Sequence, residues 1–259
     1  MKTNKICYLG DDNIHQAAAY LAGIMTHFGL EYDRVDSASL PPDDFLETEY
    51  AAYVLSDYPA KNFRDADWEH LVRCVENGSG LLMFGGWESF HGRLGEYHDS
   101  PLAEVLPVEM LAEDDRRNYS QPVFVVPTLE NETHPILAGL PWETPPGVGG
   151  FNSFWPKKNA DVLLNGIRLH LEYQKDEDSE DTIIFQTDFP EIVPLLVLGK
   201  YGRGNTAAFA SDVAPHWVGG FVDWGKNRIT QEIPGAGFIE IGEDYAKFFR
   251  NLLVWAKKR

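Results

Sequence analysis

Cysteine is scarce: Cys7 and Cys74 are the only two in a chain of 259 residues. Two thiols make no disulfide framework, so an apolar core must carry the fold. Basic residues are also few, 22 Lys and Arg against 40 Asp and Glu, a net charge of −18. A chain this acidic has no electrostatic means of gripping a phosphate backbone, and nucleic acid is not an expected partner. No apolar run approaches the roughly 18–20 residues that a membrane-spanning helix needs, so no membrane is expected either. Met1-Lys2-Thr3-Asn4-Lys5 leads straight into ICYLG without the apolar core of a signal peptide. That start predicts a cytoplasmic protein with both thiols reduced.

What is present points to a folded domain. Apolar residues make up 44% of the chain and aromatic residues 13%, too many for a disordered state. ICYLG (6–10), Tyr32 to Val35, YAAYVLSD (50–57) and LLMFGG (81–86) read as strands. Between them, Ala18, Leu21, Ile24, Met25 and Phe28 recur at helical spacing, closed by Gly29. Trp68, Leu71, Val72 and Val75 do the same after Asp65 and Asp67, candidate caps, and Asn77-Gly78 stops that helix. Strands alternating with helices predict an α/β fold, a parallel sheet with helices on both faces. One domain, 1–259, is expected, with an irregular and partly antiparallel insert over about 100–190. PVFVVP, DVLL and TIIFQT are its strand candidates. VPLLVLGKYGRGNTAAFASD reads as a hairpin, and a last helix begins near Asp244. Glu172 to Asp181 carries six carboxylates against one lysine, the pattern of a solvated loop.

Ligands of such sheets bind past the carboxyl ends of the strands. Here those ends are Gly10-Asp11-Asp12, Ser56-Asp57 and Gly85-Gly86-Trp87-Glu88-Ser89. Asp212, four residues before His216, could fix that imidazole for acid–base work. Ser89 could be a nucleophile served by His216, with a helix start supplying an oxyanion hole, or simply the cap of that helix. His91 and His98, near Glu88, Glu96 and Asp99, match no standard metal spacing, and no metal or cofactor is predicted. Trp87, Trp155 and Trp217 are read as core residues or as aromatic walls of a polar cleft.

In order along the chain, Ser56-Asp57, GLLMFGGWESFHG (80–92), Leu106-Pro107-Val108, Asp114-Asp115-Arg116, His134-Pro135-Ile136, Gly150-Phe151-Asn152, YGRGNTAAFASD and Pro215-His216-Trp217 form a distinctive set. With these motifs the chain resembles the glutamine amidotransferase-like family of the class I superfamily, near the ThuA-like group. The resemblance implies a flavodoxin-like core with a nucleophile elbow after one strand, and a catalytic histidine near His216. It departs at the elbow, where Gly85-Gly86-Trp87-Glu88-Ser89 holds no cysteine. A thiolate is what attacks an amide readily at neutral pH, so glutaminase activity is not expected. The leading expectation is a small polar metabolite, a carbohydrate derivative among the options, bound by Asp57, Gly86, Trp87 and Trp217 with Glu88, Ser89, Asp212 and His216. A hydrolase using Ser89 or an activated water is one alternative; a non-catalytic scaffold is another. A homo-oligomer suits such a fold, but nothing in the sequence counts subunits.

Overall fold

The computed structural model describes residues 1–131, 133–174 and 182–258. Four short strands open it: β1 (Ile6–Gly10), β2 (Tyr32–Val35), β3 (Ala52–Ser56) and β4 (Gly80–Phe84). α1 (Ala17–His27) joins the first two, and α2 (Asp65–Glu76) joins β3 to β4. The expected strands and helices are therefore present, within a residue or two. α1 ends as read, with Gly29 in the left-handed region at φ +63°. At the start of α2 the cap is reversed: Asp67 reaches back to accept the amide of Arg64 at 2.9 Å.

The middle of the chain supplies α3 (Leu102–Val105), β5 (Val108–Met110), β6 (Arg116–Pro127), β7 (Gly147–Asn152), β8 (Phe154–Pro156), β9 (Asp161–Gln174) and the long β10 (Thr182–Tyr201). β11 (Gly204–Phe209), α4 (Pro215–Val218), β12 (Arg228–Glu232), β13 (Phe238–Gly242) and α5 (Glu243–Ala256) complete it. Nine strands form one sheet in the order β2-β1-β3-β4-β11-β10-β9-β6-β7. The pairs from β2 to β11 are parallel; those from β11 to β7 are antiparallel. The irregular segment is thus partly antiparallel, as expected, and it extends the same sheet. The acidic run 172–181 falls mostly outside the described residues.

β1, β3 and β4 are buried along their whole length, as parallel strands covered on both faces must be. α5 lies against β4 and β11 and also against α1. Its aromatic stripe of Tyr245, Phe248 and Phe249 is fully buried and meets Phe84, Phe209 and Phe221 in edge-to-face and tilted contacts. Two departures from the expectations matter. No helix follows β4: residues 85–96 form turns, so no helix start is available there for an oxyanion hole or for Ser89 to cap. The β12–β13 hairpin was not among the expected strands, although Ile229 and then Ile239 and Ile241 alternate with polar neighbours as a half-buried strand requires.

The chain runs from β1 to β2 on one side and then returns to place β3 on the other. The sheet order therefore reverses between β1 and β3. Such a reversal, beyond the carboxyl ends of the strands, is the usual ligand position in open α/β sheets.

Candidate active site

Three aspartates follow three strands at this edge. Asp11 comes after β1, Asp57 after β3, and Asp212 three residues after β11. Asp11 and Asp57 sit at φ +48° and +45°, left-handed conformations that Asp tolerates better than most residues. The only other described non-glycine residues of this kind, Phe90 and Glu96, lie in the loop after β4. The strained backbone of the described residues is thus gathered at one edge of the sheet.

Gly86 brings β4 close to Asp57. A Cβ there would stand 2.0 Å from Asp57 Oδ1, so a side chain would displace the Asp57 carboxylate. The next turn lets the amide of Glu88 donate to that same oxygen at 2.7 Å. Ser89 is 1% exposed, and its Oγ accepts the Asp57 amide at 3.0 Å. Its hydroxyl is therefore occupied in tying two strand-end loops together.

Asp212 is fully buried. Its Oδ1 accepts the amides of Val213 and Ala214, the latter at 2.9 Å. Its Oδ2 has no hydrogen-bond donor, although His216 Nε2 stands 2.7 Å away; the ring is close without being aligned. The His216 side chain is half exposed. The expected pairing of Asp212 with His216 is therefore in place, while Ser89 has its own partner in another loop.

These carboxyl groups disturb one another. Burial, followed by the charge of Asp212, raises the Asp11 carboxyl to about 7. Tyr8 donates its phenol to Asp11 Oδ2, and Arg34 donates to the Asp11 carbonyl. Burial and then the charges of Asp212 and Asp11 push Asp57 well above the usual carboxylate range. Burial also raises Glu88, with Lys61 opposing and Asp12 adding. The Asp212 carboxylate holds the His216 imidazolium up, against partial burial.

A second set of residues braces the edge from the antiparallel half. Asn152, fully buried at the end of β7, accepts from the Gly86 amide at 2.8 Å and donates to its carbonyl at 3.1 Å. It also donates to Asp115 Oδ1 at 2.6 Å. Asp115 accepts the amides of His91 and Gly92 at 3.0 and 2.9 Å. The Asp114-Asp115-Arg116 motif thus divides: Asp114 pairs with Arg116 at 2.7 Å, while Asp115 clasps the loop after β4. Asn152 was not expected at the site, because only the pairing of distant strands brings it there; its place in the Gly-Phe-Asn motif was the one local sign.

The tryptophans part company. Trp217 is buried, with Nε1 donating to Asn118 at 2.9 Å. Trp87 is 46% exposed with the Arg116 guanidinium over its ring at 4.4 Å, and Trp155 is exposed. His91 and His98 do meet, Nδ1 to Nδ1 at 3.1 Å. A separate groove of about 1030 Å³ runs past Pro122, Leu140 and Trp224, and none of the candidate residues lines it. Cys7 on β1 and Cys74 on α2 are both buried, and burial raises both thiols, although His70 Nε2 stands 3.4 Å from Cys74 Sγ. No described helix is long and apolar enough to cross a membrane.

A family model described as "Putative glutamine amidotransferase" matches residues 59–233. That span takes in the loop after β4, Asp115, Asn152, Asp212 and His216. Among solved structures, the chain is similar to cytoplasmic protein STM1381 from Salmonella typhimurium LT2, at 27% identity and a TM-score of 0.71 over 100% of both chains. It is similar to cytoplasmic protein STM3548 from Salmonella typhimurium, at 26% identity and a TM-score of 0.70 over 97% of this chain and 98% of that one. The fold alone is shared with a thua-like protein of Parabacteroides merdae, at 14% identity and a TM-score of 0.55, over 98% of this chain and 90% of that one. No curated protein sequence matches the chain.

Proposed function

We propose that this chain, which belongs to the putative glutamine amidotransferase family, binds a small polar metabolite at the strand ends and does not hydrolyse glutamine. The observation that carries this reading is the convergence of Asp57, Asp212 and His216 on one small region, beside Asp11 and Glu88. Burying several carboxylates together opposes folding, and sites of perturbed carboxyl groups beside a histidine are typical of ligand-binding and catalytic centres. Half-exposed His216 and Glu88 offer a ligand both a charged donor and an acceptor. Exposed Trp87, braced on one side by Arg116, offers an apolar face of the kind that suits a sugar ring. The cytoplasm is the proposed location.

The absence of a thiol from residues 85–89 argues against glutaminase chemistry. Purified protein is expected to release no ammonia from glutamine. In a thermal-shift panel of sugar acids, amino sugars and polyols, at least one compound should raise the melting temperature. Glu88→Gln and His216→Ala should each shrink that rise. A shift that both variants leave intact would move the ligand to another surface.

The Asp212–His216 contact also favours a hydrolytic reading, with His216 activating water. Ser89, with its hydroxyl committed to the Asp57 amide, is the weaker nucleophile candidate. An esterase and amidase panel with no turnover dependent on His216 would remove this reading.

A further inference from the structure

We infer that Asp57, Asp212 and His216 form a binding site for one divalent first-row transition-metal cation. The inference deepens the metabolite reading of the same edge, and its test needs no metabolite. One ligand atom from each of the three residues lies within 4.8 Å of the other two. Two ligands on one such ion, at about 2.1 Å each, stand about 3–4 Å apart. Small side-chain rotations that open the 2.7 Å Asp212–His216 contact and close the wider separations bring the three to that spacing.

The independent sign is Asp212 Oδ2. It belongs to a fully buried carboxylate and makes no aligned hydrogen bond, its close polar neighbour being His216 Nε2 at 2.7 Å. A carboxylate oxygen this deeply buried favours a cation beside it, a role that a metal ion would share with His216. It does not face an apolar wall: the half-exposed His216 ring stands beside it, with Nε2 close but unaligned. A lone pair on that nitrogen and one on Oδ2 can face the same ion.

The backbone prepares the two carboxylates in the same way. Asp57 spends Oδ1 on the Glu88 amide, and Asp212 spends Oδ1 on the amides of Val213 and Ala214. Such outer hydrogen bonds fix the orientation of metal-binding carboxylates. The donor set, two carboxylates and an imidazole, selects the class of ion. Imidazole suits zinc, copper, iron or nickel and the two carboxylates suit manganese, whereas magnesium and calcium prefer oxygen alone. Three protein ligands leave coordination positions for water or for an oxygen-bearing ligand.

The test is calorimetric titration of the chelator-stripped protein with Zn²⁺ and with Mn²⁺, and with Mg²⁺ and Ca²⁺ for comparison. One equivalent of Zn²⁺ or Mn²⁺ should bind, more tightly than Mg²⁺ or Ca²⁺. His216→Ala, a change at a half-exposed residue, should weaken that binding at least ~10-fold, the lower end of what even outer-shell changes cost. Asp57→Asn should do the same. Replacing His91 and His98 together with alanine should leave the affinity unchanged, and visible absorption of bound Co²⁺ should change in His216→Ala alone among these histidine variants. The inference fails if neither Zn²⁺ nor Mn²⁺ binds saturably, if binding survives both site variants, or if it follows His91 and His98. A metabolite that binds equally in excess chelator, with no ion bound by the stripped protein, would overturn the cation site and leave the metabolite reading standing. An ion bound with no metabolite found would do the reverse.

Discussion

The two halves of the nine-stranded sheet are built on different terms. In the parallel half, β1, β3 and β4 are buried throughout and only five residues long. In the antiparallel half, β6 runs for twelve residues and buries only a few of them. The parallel half is specified by core packing, and its strand ends deliver the aspartates. The antiparallel half mixes buried apolar runs, Leu195 to Val197 among them, with exposed strands such as β6, and it delivers the braces, Asp115 and Asn152. One half presents the chemistry and the other holds it in position.

The sharpest way to break this division is at the seam. Gly85 donates to the carbonyls of Phe209 and Ser211, and a Cβ on it would stand 1.9 Å from the Ala210 carbonyl oxygen. Backbone cannot yield as a flexible side chain can. Gly85→Ala should cost about 3 kcal/mol or more, at the upper end of overpacking effects, read as a lowered urea midpoint. Gly220→Ala, at a position with nothing within 4 Å, is the control that should change little.

Next in size is the brace. Asn152→Ala leaves the Gly86 amide buried without its partner and Asp115 Oδ1 with the Gly92 amide alone. A loss of roughly 2–3 kcal/mol is expected for such a change. Ligand or ion binding should weaken as well, because Gly86 seats Asp57. If stability falls and binding does not, the two halves are energetically linked but the brace does not serve the site.

A smaller effect of opposite sign is expected at Asp11. Its carboxyl titrates at about 7 in the folded chain against an ordinary value of 3.8. The folded state therefore holds more protons than the unfolded one between those values. Stability from this group should fall as pH rises from about 4 to about 7 and stay low above that. Asp11→Asn removes the charge while keeping an acceptor for Tyr8. It should stabilise the protein at pH 8 by about 1 kcal/mol or more, flatten the dependence between pH 5 and 8, and change little at pH 4. Melting curves across that range give the answer.

The smallest stability effect belongs to the exposed platform. Trp87→Ala loses a surface cation–π contact of about 0.5–1 kcal/mol with Arg116. A melting temperature almost unchanged alongside weakened metabolite binding would place Trp87 in recognition; both unchanged would leave it as mere surface.

The same contrast explains what was readable in the sequence. A parallel strand buried on both faces leaves a local mark: LLMF or AYVLS, closed by small residues, with a helix of regular spacing on either side. The strand ends, and so Asp57, Gly86 and Asp212, could be located from that pattern. The four-residue spacing of Asp212 and His216 carried their contact. Nothing local announced that Ser89 would turn its hydroxyl inward, since that depends on where the β3 loop lies. Asn152 and Asp115 reach the site only through pairings between strands far apart in sequence. Trp87 and Trp217 flank similar motifs, yet one is exposed and the other buried, where it lies against Gly150 and donates to Asn118, contacts that arise from distant strands.

One further property follows from the place of β11 in the sheet. It pairs with β4 through Thr206↔Leu81 to Phe209↔Phe84, more than a hundred residues apart in the chain. During synthesis β4 is complete early and must wait, its edge unpaired and its residues apolar, until β11 leaves the ribosome. Contacts of such long sequence separation slow folding, and a waiting apolar edge invites pairing with another chain. Nascent chains that stop before Gly204 should therefore be the most aggregation-prone species this protein makes, and the ones most in need of a chaperone.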